Sequence, residues 1–258
     1  MAFTIEIRFL GGLTDAQIAV FETAANRWSQ IITENLPPVR LPNGEIVNDV
    51  RIDAQGGNID GPSGILGQAG PTQLQSGSLL PATGMMRFDS ADLARMEAEN
   101  SLLNVIVHEM GHVLGFGTLW SERFLGLIIG EGSDNPKFVG KNAVKEYMAL
   151  TSDENSEYVP LANTGGTGTR DGHWRERVFD NELMTGFIDS GDNPLSRLSI
   201  AAFEDMGYTV DYGAADEYKL PDAEILALKV LRKSHQCRMC STKIMRIDPI
   251  ILPKSAFL

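Results

Sequence analysis

His108, Glu109 and His112 form the pattern His-Glu-x-x-His, whose residue types and spacing suit metal-assisted hydrolysis. Residues four apart on an α-helix lie about 40° apart on one face, so the two imidazoles can bind one metal ion. Glu109 then lies beside the metal and can act on a bound water. A metal ion lowers the pKa of such a water from about 15.7 towards about 7, so that it can attack an amide at neutral pH.

The predicted helix around this pattern has two features that favour a buried metal site. The apolar segment 102–107 leads into it, which suits a helix packed in a core. Gly115 and Gly117 follow it, and glycine readily takes the positive φ that a helix C-terminal cap requires. The alternative is a chance match, with both histidines on a solvated surface.

The histidine count allows a third ligand. The chain has four histidines, which are His108, His112, His173 and His235. Two belong to the pattern. One of the others would complete a catalytic site with three protein ligands and one open position.

Length and composition are those of an ordinary globular protein. The chain has 258 residues, of which 43% are hydrophobic and 22% charged. This length allows one or two domains with a substantial core. No apolar run approaches the roughly 20 residues of a membrane span. The N-terminus has no basic segment followed by an apolar one, so no cleavable signal peptide is predicted.

The net charge of −12 is unevenly distributed along the chain. Residues 225–258 contain seven Lys or Arg and one Asp, a net of +6, so residues 1–224 carry −18. This acidic body argues against nucleic acid as a partner. Both cysteines, Cys237 and Cys240, lie in the basic tail, so the cysteine count leaves the compartment undecided. With His235 they form a weak zinc-knuckle or redox pattern, for which a chance pair is the simpler explanation.

Hydrophobic periodicity predicts strands and helices before and around the pattern. A capping box at Thr14 and Gln17 begins a long amphipathic helix. The residues between the second and third strands, 55–84, are rich in Gly, Pro and Ser and are predicted as loops around one short strand at Ile65 and Leu66. The predicted elements are strands at 4–10, 47–54 and 84–88 and helices at 14–34, 91–99 and 102–114.

The second half of the chain is predicted to be less regular. Residues 116–171 contain many glycines and one short helix at 143–150, and long stretches of this kind are usually functional or disordered. A last helix opens at Ser196 and ends at Gly207. The basic tail, residues 221–258, is predicted to be poorly ordered.

The order of the motifs resembles that of the leishmanolysin-type peptidases of the metzincin clan. The segment from His108 to Gly115 is similar to the first part of the metzincin signature, in which a glycine follows the second histidine by three residues. The usual third histidine comes three residues later, where this chain has Thr118. Leishmanolysin-type enzymes insert a long segment at this point, and here His173 follows His112 by 61 residues.

Two later segments extend the resemblance, which covers roughly residues 3–215. Residues 181–186, Asn-Glu-Leu-Met-Thr-Gly, resemble the Met-turn of that family, and residues 199–208 resemble its final helix. The resemblance implies a zinc-dependent endopeptidase. His108, His112 and His173 would bind zinc, Glu109 would be the general base, and Met184 would lie under the metal.

The resemblance also implies an α+β metzincin-like fold. Residues 1–115 would form an upper subdomain, with a twisted, mostly parallel sheet, a backing helix and the active-site helix above the cleft. Residues 116–220 would form an irregular lower subdomain with the third histidine, the Met-turn and a C-terminal helix. The Gly115 turn would lead the chain below the cleft, and the strand Gly84–Asp89 would be the edge that pairs with an extended protein or peptide substrate. The family also implies an extracellular location.

Several alternatives remain open at this stage. A carboxylate could replace His173 as third ligand, with Glu131, Glu146 and Glu176 as candidates. The domain could be a catalytically silent protein-binding module, or a metal-dependent amidase that acts on other substrates. Asp-rich loops beginning at Asp60, Ser133 and Asp189 could bind calcium, although turn chemistry explains them equally well.

Overall fold

A computed structural model describes residues 2–59, 61, 65–166, 168–222, 241–244 and 248–258. The cysteine pair, His235 and Asp60 lie outside the described residues. The helices are α1 (Asp15–Ile31), α2 (Ser90–Ala98), α3 (Leu102–Val113), α4 (Lys141–Thr151), α5 (Glu176–Phe179) and α6 (Arg197–Met206). The strands are β1 (Ile5–Phe9), β2 (Val39–Arg40), β3 (Ile46–Val47), β4 (Val50–Gly57), β5 (Ile65–Leu74), β6 (Pro81–Asp89), β7 (Ile128–Ile129), β8 (Lys137–Phe138), β9 (Val159–Pro160), β10 (Ser241–Ile244) and β11 (Ile250–Ile251).

The main sheet has the order β1-β4-β6-β5-β10, and β11 also pairs with β5. β1, β4 and β6 are mutually parallel, whereas β5 runs antiparallel to β6. β10 and β11 pair with β5 in parallel. The fold is therefore a mixed α/β structure with a mostly parallel sheet, as the family resemblance implies.

Two predictions about the strands before the active-site helix are wrong. Gly84–Asp89 belongs to β6, which lies inside the sheet between β4 and β5 and is therefore not an edge strand; β5 pairs in turn with β10 and β11. Residues 55–84 are largely strand rather than loop, because β5 alone has ten residues. Their glycines suggest loops, but at Gly84 the small residue serves close packing, because an added Cβ would overlap Val113 Cγ1 on α3.

The hydrophobic core holds α1 and α3 against one another and against the sheet. Trp28 on α1 donates its indole N–H to the carbonyl of Val107 on α3 at 3.0 Å. The rings of Phe21 and Phe88 meet edge to face at 5.4 Å, which joins α1 to β6. One continuous core contains residues from both sides of the predicted 115/116 subdomain boundary. The two parts therefore fold around a shared interior.

The chain after α3 packs through aromatic side chains rather than through a large sheet. Phe116, Trp120, Phe138 and Trp174 are fully or almost fully buried, with ring centroids 4.4–5.4 Å apart along the cluster. β7, β8 and β9 form a small antiparallel sheet beside it. This cluster gives the segment with little predicted periodicity a fixed place in the fold.

The described part of the basic tail is ordered structure on the outer side of β5. Leu252 and Ala256 are buried with Val39, Leu41, Val47 and Ala82 in a second, smaller core. The Leu252 N–H donates to the Leu74 carbonyl at 2.8 Å. The sequence predicts a poorly ordered tail, whereas in this structure β10 and β11 pair with β5 and two tail side chains fill core positions. In the described part of the chain, no helix is long and apolar enough to cross a membrane.

Candidate active site

The end of α3 fixes the two histidines of the His-Glu-x-x-His pattern. The helix ends at Val113, and Gly115 follows with φ +112°. The hydroxyl of Thr118, which occupies the usual position of the third histidine, donates to the His112 carbonyl at 2.9 Å. Tyr208 donates its hydroxyl to the Leu114 carbonyl at the same distance. Thr118 therefore closes the helix end and has no place among the imidazoles.

His173 lies beside α3 although a long segment separates it from that helix in the chain. Backbone hydrogen bonds hold it in this position. Its carbonyl accepts from the Ala162 N–H at 2.9 Å, and the next residue, Trp174, donates its N–H to the Met184 carbonyl at 3.0 Å. The Trp174 side chain anchors this strand-like stretch in the aromatic cluster. The position of His173 is therefore set by the buried side chain of Trp174, which follows it, and by the backbone hydrogen bonds of these two residues.

The three histidines converge on one point. The Nε2 atoms of His108 and His112 are 2.8 Å apart, those of His112 and His173 are 3.0 Å apart, and those of His108 and His173 are 3.2 Å apart. Each Nδ1 atom lies 2.7–2.9 Å from a backbone carbonyl oxygen. The carbonyl belongs to Leu183 for His108, to Phe116 for His112 and to Thr169 for His173. A carbonyl can only accept, so each Nδ1 carries the proton and each Nε2 presents a lone pair.

Burial keeps all three imidazoles neutral. It lowers the pKa of His108 to about 3, with His173 adding to the effect and the Leu183 carbonyl opposing it. It lowers the pKa of His173 to about 4 against the opposing Thr169 carbonyl. The pKa of His112 is lowered well below its ordinary value by burial, His108 and His173. Neutral imidazole is the form that binds a metal ion.

This donor set fits a zinc ion. Three lone pairs about 3 Å apart repel one another unless a cation lies between them. Zinc–nitrogen bonds of about 2.0–2.1 Å at tetrahedral angles place ligand nitrogens roughly 3.3 Å apart, close to the 2.8–3.2 Å spacing of the Nε2 atoms. Each imidazole also has, on its second nitrogen, the kind of backbone partner that metal-bound histidines usually have.

Glu109 lies beside this group and is also fully buried. Neither of its carboxylate oxygens has a hydrogen-bond partner among the described residues. Burial raises the pKa of Glu109 well above its ordinary value, and a cation held by the histidines would act in the opposite direction. A buried carboxylate of this kind needs a partner, and a water next to a metal ion would supply it.

Met184 packs directly under α3. Its side chain is fully buried, and its Cε lies 2.9 Å from the place that a Cβ would take on Gly111, between the two histidines of the helix. The glycine at 111 is therefore matched to the methionine below it. The contact between Met184 and Gly111 is one of packing.

The other predicted ligands lie elsewhere. Glu146 pairs with Arg197 at 3.0 Å. The carboxylates of Glu176, Asp180 and Asp189 approach within 4.8 Å of one another, apart from the histidine group.

Calcium gains no support from the acidic loops. Ser133 Oγ accepts from the Asn135 N–H at 3.2 Å, and Asn193 Oδ1 accepts from the Asp189 N–H at 2.8 Å. Local turn hydrogen bonds thus explain these two loops.

The sequence did not predict the groups that orient the imidazoles through their Nδ1 atoms or that support the turn around Met184. The carbonyls of Phe116, Thr169 and Leu183 carry no side-chain signal. Glu182 is fully buried and binds the hydroxyls of Ser196 and Ser199 at 2.6 Å each. The available signal was an acidic residue two positions before Met184, followed by two serines in the first turn of the last helix.

Replacing Gly117 with Ala should lower the free energy of unfolding by about 2–5 kcal/mol. Gly117 has φ +69°, and an added Cβ would overlap the backbone of Gly172, the residue before His173. The left-handed conformation alone costs about 1–2 kcal/mol for a residue with a Cβ, and the overlap adds about 1–3 kcal/mol. Denaturant unfolding measures the total loss in the free energy of unfolding. Gly126→Ala is the control, because Gly126 has φ +63° and open space around it; equal losses for both variants would contradict the close approach.

Comparison with known proteins is consistent with this geometry. A leishmanolysin homolog from Crithidia fasciculata is 28% identical over 162 residues, which are 60% of this chain and 24% of that protein. Leishmanolysin from Leishmania donovani is 29% identical over 143 residues, 53% of this chain and 24% of that protein. A leishmanolysin-like peptidase from Caenorhabditis elegans is 43% identical over 63 residues, 24% of this chain and 9% of that protein. The matched part of the chain thus spans about a quarter or less of the length of these three relatives.

The family model described as leishmanolysin matches residues 62–238, which is more than half of the chain. The match includes the His-Glu-x-x-His helix, His173 and Met184. The chain therefore belongs to the leishmanolysin family.

Proposed function

We propose that this chain is a zinc-dependent endopeptidase in which His108, His112 and His173 bind the metal and Glu109 is the general base. The observation that carries the proposal is the convergence of three neutral, backbone-oriented imidazoles beside a buried carboxylate without a described partner. Two imidazoles and a carboxylate on one helix could be a structural feature. A third imidazole brought from 61 residues away to the same point has no evident packing purpose.

A zinc ion at this site would supply a water of lowered pKa and would polarise the carbonyl of the scissile peptide bond. Glu109 takes a proton from the attacking water while the water oxygen forms a bond to the carbonyl carbon. Glu109 then gives the proton to the leaving nitrogen as the carbon–nitrogen bond breaks. Met184 supports the ligands by packing and takes no part in the proton transfers.

The substrate would be an extended peptide that adds to the side of β5 that β10 occupies in this structure. Gly67 on β5 adjoins the site, since an added Cβ there would lie 3.5 Å from Glu109 Cδ. Main-chain hydrogen bonds from this strand could hold a peptide beside the reacting groups, whatever its side chains are. The extracellular location of this activity is likewise a proposal that follows from the family.

Metal content and hydrolysis, measured together, test this function. The purified chain should contain one zinc ion and cleave a casein-like protein, and a chelator should abolish cleavage until zinc is returned. Zinc binding without cleavage of any amide would favour a silent binding module. Chelator-sensitive cleavage of small amides but not of peptides would favour an amidase.

We expect the tail strand β10 to compete with substrate for the β5 edge. β10 pairs with Gln68 and Ala69, next to Gly67, and the Ile244 N–H donates to the Gly168 carbonyl at 3.1 Å. The Ile244 side chain covers Gly172, beside His173. The three histidines and Glu109 are fully buried, so a substrate reaches them only after the covering segment moves.

Replacing Ile244 with Asp should therefore lower the KM for a peptide substrate roughly fivefold. Placing a carboxylate in this half-buried position weakens β10 by about 1 kcal/mol, which corresponds to roughly fivefold in the competing equilibrium. Ile250→Asp is the matched control, because Ile250 on β11 is 63% exposed. The KM of each variant is measured with a fluorogenic peptide. Equal KM values for Ile244→Asp and Ile250→Asp would show that β10 does not compete with the substrate.

A further inference from the structure

Glu182 is a buried carboxylate that the proposed chemistry does not use. It is fully buried and lies two residues before Met184. Burial raises the pKa of Glu182, against the hydrogen bonds that it accepts. Its Oε1 accepts from the Ser196 hydroxyl and the Ser199 hydroxyl, each at 2.6 Å, and from the Ser196 N–H at 3.1 Å. Its Oε2 accepts from the Met184 N–H at 2.6 Å.

One branch of this network leads to His108. The bond from the Met184 N–H to Glu182 closes a tight turn around Leu183. The Leu183 carbonyl, in the middle of that turn, accepts the Nδ1 proton of His108 at 2.7 Å. The Glu182 carboxylate thus fixes the direction of the carbonyl that orients the first imidazole.

A second branch leads to His173. The Ser199 hydroxyl, which donates to Glu182, accepts the indole N–H of Trp174 at 2.8 Å. Trp174 follows His173 directly, and its backbone N–H donates to the Met184 carbonyl at 3.0 Å. Two of the three imidazoles therefore depend on the same buried carboxylate, one through the Leu183 turn and one through the indole of Trp174.

We infer that Glu182 is a positioning residue that sets His108 and His173 in their metal-binding orientation. The inference rests on the proposed function, because it concerns the same site. A carboxylate suits this role better than an amide. All four of its partners are donors, and a glutamine would turn its own N–H groups towards at least one of them. Loss of an outer partner of this kind typically weakens metal binding by about 10–100-fold.

Zinc affinity in Glu182→Gln, measured by competition with a chelator well below the unfolding temperature, tests the inference. The dissociation constant should rise about 10–100-fold, and the visible spectrum of the cobalt-substituted protein should change. Asp49→Asn is the matched control. Asp49 is 1% exposed and also accepts four hydrogen bonds, from Thr4, Asn35 and Leu36. A purely structural carboxylate would lower the unfolding temperature but leave zinc affinity within about twofold.

A second variant keeps the test informative if Glu182→Gln does not fold. Ser199→Ala removes one donor to Glu182 and the acceptor of the Trp174 indole, and it should weaken zinc binding by a smaller factor, several-fold. Wild-type affinity in whichever variants fold overturns the inference. Zinc binding by the unaltered chain without peptide cleavage overturns the proposed function alone. A chain that binds no zinc overturns both.

Discussion

Replacing Glu109 with Gln should reduce kcat/KM for peptide cleavage about a thousandfold while the zinc content stays the same. A positioned general base typically contributes about 10²–10⁴-fold to the rate, and the amide has no site to take the proton from water. The substitution keeps the size of the side chain and removes a buried ionisable group without a described partner. The unfolding temperature should therefore stay the same or rise, in contrast to the activity.

Steady-state kinetics, metal analysis and thermal unfolding of the same preparation separate these effects. Glu22→Gln is a suitable control, because Glu22 is an exposed residue of α1. It should behave like the unaltered chain in all three measurements. Activity of Glu109→Gln within tenfold of the unaltered chain would show that another group removes the proton.

Replacing His173 with Ala should weaken zinc binding by more than a hundredfold and abolish cleavage. Loss of a partner behind a ligand already costs about 10–100-fold, and this variant removes one of the three ligands. The substitution also leaves the Thr169 carbonyl without the Nδ1 donor that lies 2.9 Å away. The stabilisation that excess zinc gives to the folded chain should largely disappear, since that stabilisation follows the affinity for the folded state.

The rise in unfolding temperature on adding zinc is the direct measurement, with and without a chelator. Glu131→Ala serves as the comparison, because Glu131 is a predicted carboxylate ligand that lies on the surface. It should keep the full zinc-dependent rise. The assignment of His173 fails if Glu131→Ala loses that rise and His173→Ala keeps it.

The sequence predicted the elements with strong local signals. The capping box of Thr14 and Gln17 begins α1 as expected, and α3 and α6 lie close to their predicted ranges. These signals are local, because caps and helical periodicity act over only a few residues. His108, Glu109 and His112 could be proposed together for the same reason, since one helix carries all three.

What the sequence could not predict depends on contacts between distant segments. β5 has the composition of a loop, and it is a strand because β6 on one side and β10 on the other pair with its backbone. The edge position was assigned to the wrong strand because strand order is a property of the whole sheet. The backbone carbonyls behind the imidazoles are invisible to any argument from residue type, and the burial of Glu182 depends on Ser196 and Ser199, which lie 14 and 17 residues further along the chain.

The contact between Gly117 and Gly172 has a consequence for how the chain tolerates changes in length. The backbones of Gly117 and Gly172 pack closely against one another. These residues lie near the two ends of the segment that separates His112 from His173, so the two ends are close together in space. Loop-closure entropy grows slowly, by about 0.6 kcal/mol for each doubling of length. Residues added at the exposed turn 153–155 would therefore leave the third imidazole where it is. The position of His173 relative to His112 is therefore set by this contact rather than by the number of residues between them, so the proposed centre can be completed across 61 residues as well as across six.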